Sequence, residues 1–193
     1  MYEYKTEPFD HQRKALEDSW DADFHAYFME MGTGKSKVAI DNMGVLFEKG
    51  AIKAALIVAP KGVYDNWALG EIPLHLPERI ARKTVSWTPS LSKKFVAELE
   101  DLVLEDFDGI KIFVMNVEAF SSPRGARAAG RFLVHNPDNM MIVDESTTIK
   151  NRKAQRTKNL MVLTKYSKYR RILTGSPVTK SPMDLFSQCN FLD

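Results

Sequence analysis

FMEMGTGKSKVAI, Phe28 to Ile40, decides how the whole chain is read. Gly32, Thr33, Gly34, Lys35 and Ser36 form a GxGK[ST] string, which arises by chance in roughly one per cent of chains of this length. Glycines let the backbone curl with its amides pointing inward at phosphate oxygens, and a following helix offers its positive N-terminus to the same anion. In such a loop Lys35 reaches the terminal phosphates and Ser36 places its hydroxyl on Mg²⁺. Met29 occupies the position where the usual pattern carries its first glycine.

Outward from the loop, short apolar runs rich in β-branched residues alternate with longer amphipathic stretches. Asp10 is expected to cap a helix reaching about Trp20. Phe24 to Met29 reads as a short buried strand and Lys35 to Lys49 as a helix stopped by Gly50. AALIVAP, Ala54 to Pro60, is a second buried strand, with a helix after it that ends near Pro73. Lys83 to Trp87 reads as a strand, Leu91 to Asp106 as a helix, and Ile110 to Met115 as a strand. Pro123 opens a helix that Asn136 and Pro137 end. MMIV, Met140 to Val143, is a strand running straight into Asp144 and Glu145. A helix over Lys153 to Tyr166, a strand over Arg171 to Leu173 and a helix opened by Pro182 complete the chain. Strands apolar on both faces and alternating with helices predict one α/β domain over residues 1–193, a mainly parallel sheet covered by helices on both faces.

Composition fits that class. The chain has 193 residues, 44% hydrophobic and 27% charged, and a chain this long buries roughly 70% of its unfolded surface. The single cysteine, Cys189, excludes an internal disulfide framework and a multi-cysteine metal site, and suits a reducing compartment. The charged N-terminus carries no apolar stretch of signal-peptide length, and no run approaches a membrane span. A soluble, intracellular protein of the cytoplasm without a membrane partner is expected. Net charge is only +2, yet from Ser146 to Met183 there is no Asp or Glu. Lys150, Arg152, Lys153, Arg156, Lys158, Lys165, Lys168, Arg170, Arg171 and Lys180 fill that stretch, which points to a polyanion.

MMIVDEST, Met140 to Thr147, supplies the second chemical element. Nucleotide hydrolysis needs a carboxylate at a strand end to hold Mg²⁺ and a neighbouring base to orient water. Asp144 suits the first role and Glu145 the second. A hydrophobic run ending in Asp-Glu is common at strand ends, and its weight comes from pairing with the glycine loop. Trp20, Trp67 and Trp87 are expected in packing roles, as are Met29, Met31, Met140 and Met141. His11, His25, His75 and His135 show no metal-ligand spacing.

With these residues quoted, the chain resembles the first RecA-like lobe of superfamily 2 helicases, closest to the Swi/Snf-type DNA translocases, from FDHQRKAL at Phe9 to FSQCNFLD at the end. The resemblance implies that Phe9 and Gln12 read adenine and that EMGTGKS binds the phosphates of ATP. LIVAP with Asn66 and Trp67 matches the next motif. Asp144, Glu145, Ile149, Lys150 and Asn151 match the Asp-Glu-Ala-His and Ile-Lys-Asn strings. Leu173, Thr174, Gly175, Ser176 and Pro177 match the coupling motif Leu-Thr-Gly-Thr-Pro. Lys61, Gly62 and Asn116 fall on loops that the family turns to nucleic acid, most often DNA. Arg124, Arg127 and Arg131 share one helical stripe nearby and would make sequence-independent phosphate contacts.

There are departures. Met29 is a variation this lineage tolerates. Thr147 replaces the histidine that links the ATP site to the coupling motif in the family, and Ser146 replaces alanine; the change brings phage and bacterial relatives to mind, with a host cytoplasm as the setting if phage-encoded. Thr147, Thr174 and Ser176 are the expected coupling residues. The chain ends at Asp193, where superfamily 2 motors continue into a second RecA-like lobe, so little hydrolysis is expected from this lobe alone. The rival reading is a stand-alone module that docks on nucleic acid or a partner without turnover. A P-loop kinase is disfavoured, since the Asp-Glu and Leu-Thr-Gly-Ser-Pro strings have no role there.

Overall fold

The computed structural model describes residues 2–90, 92–178 and 181–193. Six strands, β1 (Phe24–Phe28), β2 (Ala54–Ala59), β3 (Arg82–Ser86), β4 (Ile110–Asn116), β5 (Asn139–Asp144) and β6 (Tyr169–Thr174), form one sheet in the order β1-β6-β5-β2-β4-β3. Every pairing is parallel. All strand C-termini therefore lie at one end of the sheet, where ligands bind in open α/β folds.

The two faces are filled by alternate residues, as the strand period of two requires. Ala54, Leu56 and Val58 of β2 join one core with Phe95, Phe132, Leu160 and Phe191. These come from α5 (Lys93–Leu104), α6 (Pro123–His135), α7 (Gln155–Leu163) and α8 (Asp184–Leu192). Ala55, Ile57 and Ala59 join the opposite core with Leu16, Val38, Ile40 and Ile72, from α1 (Asp10–Glu17), α2 (Lys35–Glu48) and α4 (Ile72–His75). The expected α/β architecture, a parallel sheet covered on both faces, is what the structure shows.

Local differences have physical causes. Asp10 is the first helical residue and Phe9 the cap; Gln12 performs the capping, its Oε1 accepting from the Phe9 amide at 3.0 Å. β1 is an edge strand with Phe24 and Phe28 exposed, because it pairs only with β6. After β2, the short helix α3 (Tyr64–Asn66) passes through a π turn at Trp67–Glu71 into α4, so the helical path runs beyond Pro73. Proline lacks an amide and its ring crowds the preceding turn, and a widened turn absorbs both faults. The expected helix start at Leu91 lies outside the described residues; Ser92 caps α5, accepting from the Phe95 amide at 3.1 Å. The last helix starts at Asp184, two residues beyond Pro182. Met140 and Met141 are core residues, but Met31 is 85% exposed in the loop.

The basic stretch does not form one surface. Arg171 on β6 is 0% exposed, and Arg170 lies over the Phe24 ring at 3.9 Å. Arg156 Nε donates to the Thr148 carbonyl. These three cations serve the fold, so they are withdrawn from the set that the charge pattern offered to a polyanion. Among the described residues no helix is long and apolar enough to cross a membrane.

Candidate active site

The loop after β1 enters α2 through Gly34, whose φ of +80° is left-handed, and Gly32 has φ +77°. Gly34 is also a contact point, since a Cβ there would lie 2.3 Å from Gln12 Nε2. That amide nitrogen donates to the Thr33 carbonyl at 2.9 Å, and His11 Nε2 lies 3.0 Å from the same oxygen. Helix α1 thus holds the glycine loop from behind through Gln12, which is 5% exposed. Phe9, expected to read adenine, is 70% exposed and stacked on His11. Gln12 joins Phe9 to the loop, and its one bonded donor and one bonded acceptor leave half of its amide capacity.

Gly34→Ala should therefore both strain the backbone and displace Gln12. A left-handed alanine costs on the order of 1–3 kcal/mol, and the clash adds to it. Nucleotide affinity is expected to fall at least tenfold, roughly the 1.4 kcal/mol equivalent, with fluorescence titration of a labelled ATP analogue as the measurement; unchanged affinity would contradict this geometry.

Lys35 stands at the N-terminus of α2. Its ammonium donates to the Met29 and Glu30 carbonyls, each at 3.0 Å. Met29 contributes its backbone to this contact and its side chain to the core, so the missing glycine is accommodated. Ser36 follows in the first turn, half-buried.

Asp144 ends β5. Its Oδ1 accepts from the Glu145 amide and its Oδ2 from Trp67 Nε1, both at 2.9 Å. Burial pushes the Asp144 carboxyl above its ordinary value, against the opposing pull of the Trp67 bond, the Glu145 amide and the Lys35 charge. Trp67, expected only to pack, thus also orients the carboxylate. Its neighbour Asn66 marks the motif in the sequence, but nothing there shows that the indole reaches a residue 77 positions away.

Glu145 has φ +46° and ψ +61°, the one described non-glycine residue with positive φ. Its Oε2 accepts from Thr174 Oγ1 at 3.4 Å, and Thr174 Oγ1 accepts from the Ser176 amide at 3.2 Å. Gly175 lies against the phosphate loop, where a Cβ would come within 3.2 Å of the Met31 amide nitrogen. Loop, carboxylate corner and the 174–177 turn therefore meet at one sheet end. Thr147, expected to link them, is half-buried and its hydroxyl bonds to no other described residue. The link runs through its neighbours: Glu145 to Thr174, and Ser146 to Gln188, whose Nε2 donates to the Pro177 carbonyl at 2.8 Å.

The expected nucleic-acid residues are placed unequally. Lys61 and Gly62 are exposed at the end of β2. Asn116 is buried; its Oδ1 caps the turn after β4 by accepting from the Ala119 amide at 2.8 Å. Arg124 donates to the Pro89 carbonyl at 2.6 Å and Arg131 forks onto Glu100 of α5. Arg127 is exposed, with no partner among the described residues. The expected three-arginine stripe thus reduces to one uncommitted side chain.

Asp144 and Ser36 offer the hard oxygen donors that Mg²⁺ prefers. Among the described residues no cluster of three or more His, Cys, Asp or Glu is gathered for a metal ion. This donor set fits an ion held mainly by nucleotide phosphates and water, with few protein ligands.

Relatives of known family and fold are found for this chain. The chain is 28% identical over 164 residues to the ATP-dependent helicase fft1 of Schizosaccharomyces pombe, covering 84% of this chain and 16% of the relative. It is 29% identical over 170 residues to the mouse SWI/SNF-related matrix-associated actin-dependent regulator of chromatin subfamily A containing DEAD/H box 1, covering 84% of the chain and 15% of the relative. It is 32% identical over 168 residues to the probable ATP-dependent DNA helicase CHR12 of Arabidopsis thaliana, again over 84% of the chain and 14% of the relative. The Sulfolobus solfataricus SWI2/SNF2 ATPase core, solved in complex with dsDNA, superposes with a TM-score of 0.75 at 20% identity, over 100% of this chain and 37% of that one. The chain thus spans only a small part of these relatives' length. Residues 26–193 match the SNF2-related domain, and with the phosphate loop, the Asp144–Glu145 corner and the 174–177 turn in one place, the chain belongs to that family.

Proposed function

We propose that this chain is the ATP-binding first motor lobe of an ATP-dependent DNA helicase or translocase. The observation that carries the reading is the convergence of three elements: the glycine loop, the carboxylate corner and the 174–177 turn. Gly175 abuts the loop backbone and Thr174 bonds Glu145. That contact lets a change at the phosphates reach the turn without a long path.

In this reading Phe9 and Gln12 receive the adenine, while the amides of Gly32 to Ser36 and the Lys35 ammonium receive the phosphates. Ser36 and Asp144 would hold Mg²⁺, which when bound neutralises charge on the phosphates and orients them. Trp67 keeps the Asp144 carboxylate aimed. Glu145 orients the attacking water and accepts its proton at a carboxylate oxygen. Lys61, Gly62, Arg124 and Arg127 are exposed and accessible for phosphodiester contacts; Asn116 contributes by shaping its loop. The small share of each relative covered by this chain supports a second RecA-like lobe as working partner. An arginine supplied from such a lobe is worth about 10³–10⁵ in turnover in P-loop enzymes, so the lobe alone should hydrolyse little. An intracellular setting goes with this reading.

The test is steady-state ATP hydrolysis by the protein joined to its second lobe, with and without duplex DNA, over a salt series. Stimulation by DNA that weakens as salt rises is expected. Hydrolysis indifferent to nucleic acid would overturn the DNA motor, and absence of hydrolysis with and without DNA would leave the binding module.

A further inference from the structure

Residues 2–8 precede α1 and alternate in burial: Tyr2, Tyr4 and Thr6 are half-buried and Pro8 is buried, while Glu3, Lys5 and Glu7 are exposed. The inward residues meet one face of α2. A Cβ at Gly44 would fall 2.8 Å from Cε2 and Cζ of the Tyr2 ring, well inside contact distance. Lys37 Nζ lies 5.3 Å from the centroid of the Tyr4 ring, and it donates to the Thr6 carbonyl at 2.9 Å and to Asp41 Oδ2 at 2.7 Å. Lys37 and Asp41 are both buried. Positions 37, 41 and 44 are spaced by four and three, so they form one stripe along the helix. Thr6 Oγ1 is also 2.7 Å from His75 Nδ1 on α4. The outward residues are tied down as well: Glu3 to Arg79, Lys5 to Glu78 and Glu7 to Arg13. The segment therefore runs along α2 from Gly44 back toward Lys35, where Phe9, Gln12 and the glycine loop follow.

Resting on the adenine roles proposed above for Phe9 and Gln12, we infer that residues 2–8 are a positioning strap that sets how strongly this lobe prefers ATP to a bare triphosphate. Phe9 is 70% exposed, so little packing holds its ring in place. Its position beside the loop is inherited from the chain on either side. On one side Gln12 of α1 bonds the loop; on the other the strap is pinned at Thr6, three residues earlier. A ring that already stands where the base must bind spares the nucleotide the cost of ordering it. The phosphate-receiving Lys35 is placed differently, by α2 and by the Met29 and Glu30 carbonyls.

The experiment measures dissociation constants for ATP and for inorganic tripolyphosphate on the protein joined to its second lobe, in wild type, Tyr2→Ala/Tyr4→Ala and Gly44→Ala. Wild type should bind ATP more tightly than tripolyphosphate. In the double variant the strap loses two anchors, and ATP affinity is expected to fall about five- to thirtyfold, the scale of ordering two side chains on binding instead of beforehand. Tripolyphosphate affinity should stay within about twofold, as for a remote substitution. Gly44→Ala leaves the strap's own sequence intact and favours the helix itself, but its methyl group pushes Tyr2 off α2. It should show the same selective loss to a smaller degree, and it serves if the double variant does not fold. A ratio of ATP to tripolyphosphate affinity unchanged from wild type in either folded variant overturns the inference. So does an equal loss of both ligands, which reports a damaged fold and not a displaced adenine platform. A wild type that binds ATP and tripolyphosphate equally removes the adenine roles of Phe9 and Gln12, and the strap with them; a wild type that prefers ATP beside variants with the same preference removes only the strap.

Discussion

Glu145→Gln should abolish turnover while leaving ATP bound. The amide keeps the volume and an acceptor for Thr174 Oγ1, so the corner around Asp144 is retained. It cannot accept the proton of an attacking water, and losing a positioned base costs about 10²–10⁴-fold. Lys35→Ala should behave differently, because the ammonium holds the phosphates in the bound state and also stabilises the charge that shifts on them during reaction, so affinity and turnover fall together. Equilibrium binding of a labelled ATP analogue beside single-turnover hydrolysis separates the two outcomes. A Glu145→Gln protein that hydrolyses at wild-type rate would remove Glu145 from the chemistry, and Asp144, placed and held by Trp67, would be the next base to test.

Arg171→Met should destabilise the whole lobe by about 3–5 kcal/mol, the scale of losing two or more hydrogen bonds to a charged group at about 1.5–3 kcal/mol each. Nε of the guanidinium donates to Asn42 Oδ1 at 2.9 Å. Its two terminal nitrogens donate to the carbonyls of Asp23, Arg170, Ser19 and Ala22 at 3.0, 2.9, 3.3 and 2.7 Å. Burial pushes its pKa below the ordinary arginine value, against the pull of the neighbouring tyrosines and Asp23. The Ser19 and Asp23 carbonyls also accept backbone amides, from Ala22 at 3.2 Å and from Arg170 at 2.8 Å, so the guanidinium is a second partner for them in the connection between α1 and β1. Methionine has similar length but no donor, and would strip the guanidinium's bonds from the buried Asn42 Oδ1 and from the Ala22 carbonyl. At about 2–4 °C per kcal/mol for a domain of this size, the melting temperature should drop by roughly 6–20 °C, read by calorimetry. Arg171→Lys should recover only part of the loss, since three donors on a flexible stem cannot span five acceptors. A methionine variant melting within a degree or two of wild type, roughly the scatter of surface substitutions, would show that water replaces the guanidinium.

Under the proposed reading, affinity for a labelled ATP analogue should fall with the same change. Arg171 fixes the turn from Ser19 to Asp23 that follows α1, and α1 carries Phe9 and Gln12. A loosened turn lets α1 shift against the glycine loop. The buried arginine of β6 thereby supports the site without touching it.

What the sequence by itself determined is the set of properties carried by local pattern. Runs of strand length, several of them apolar on both faces, alternate with helical stretches, and burial on both faces of the central runs demands a covered parallel sheet, so the α/β class followed from periodicity. Glycines at positions 32 and 34 predict a left-handed loop because few other residues tolerate one, and both adopt it. Asp144 and Glu145 stand at a strand end because MMIV cannot stop being a strand earlier.

Only the tertiary structure decided where polar side chains point. Arg171 and Arg127 are the same residue type in basic stretches of sequence, yet one is sealed in the core and the other is exposed. The difference lies in partners such as Asn42, 129 positions from Arg171, which no window of sequence contains. Asn116 turned inward to cap its own loop, Trp67 reached Asp144, and Gln188 bonded Ser146, 42 positions away. Apolar periodicity is a local property, because each strand or helix must bury one face whatever it meets. The direction of a hydrogen bond is not local, because it depends on which donor and which acceptor the completed fold brings within about 3 Å of each other.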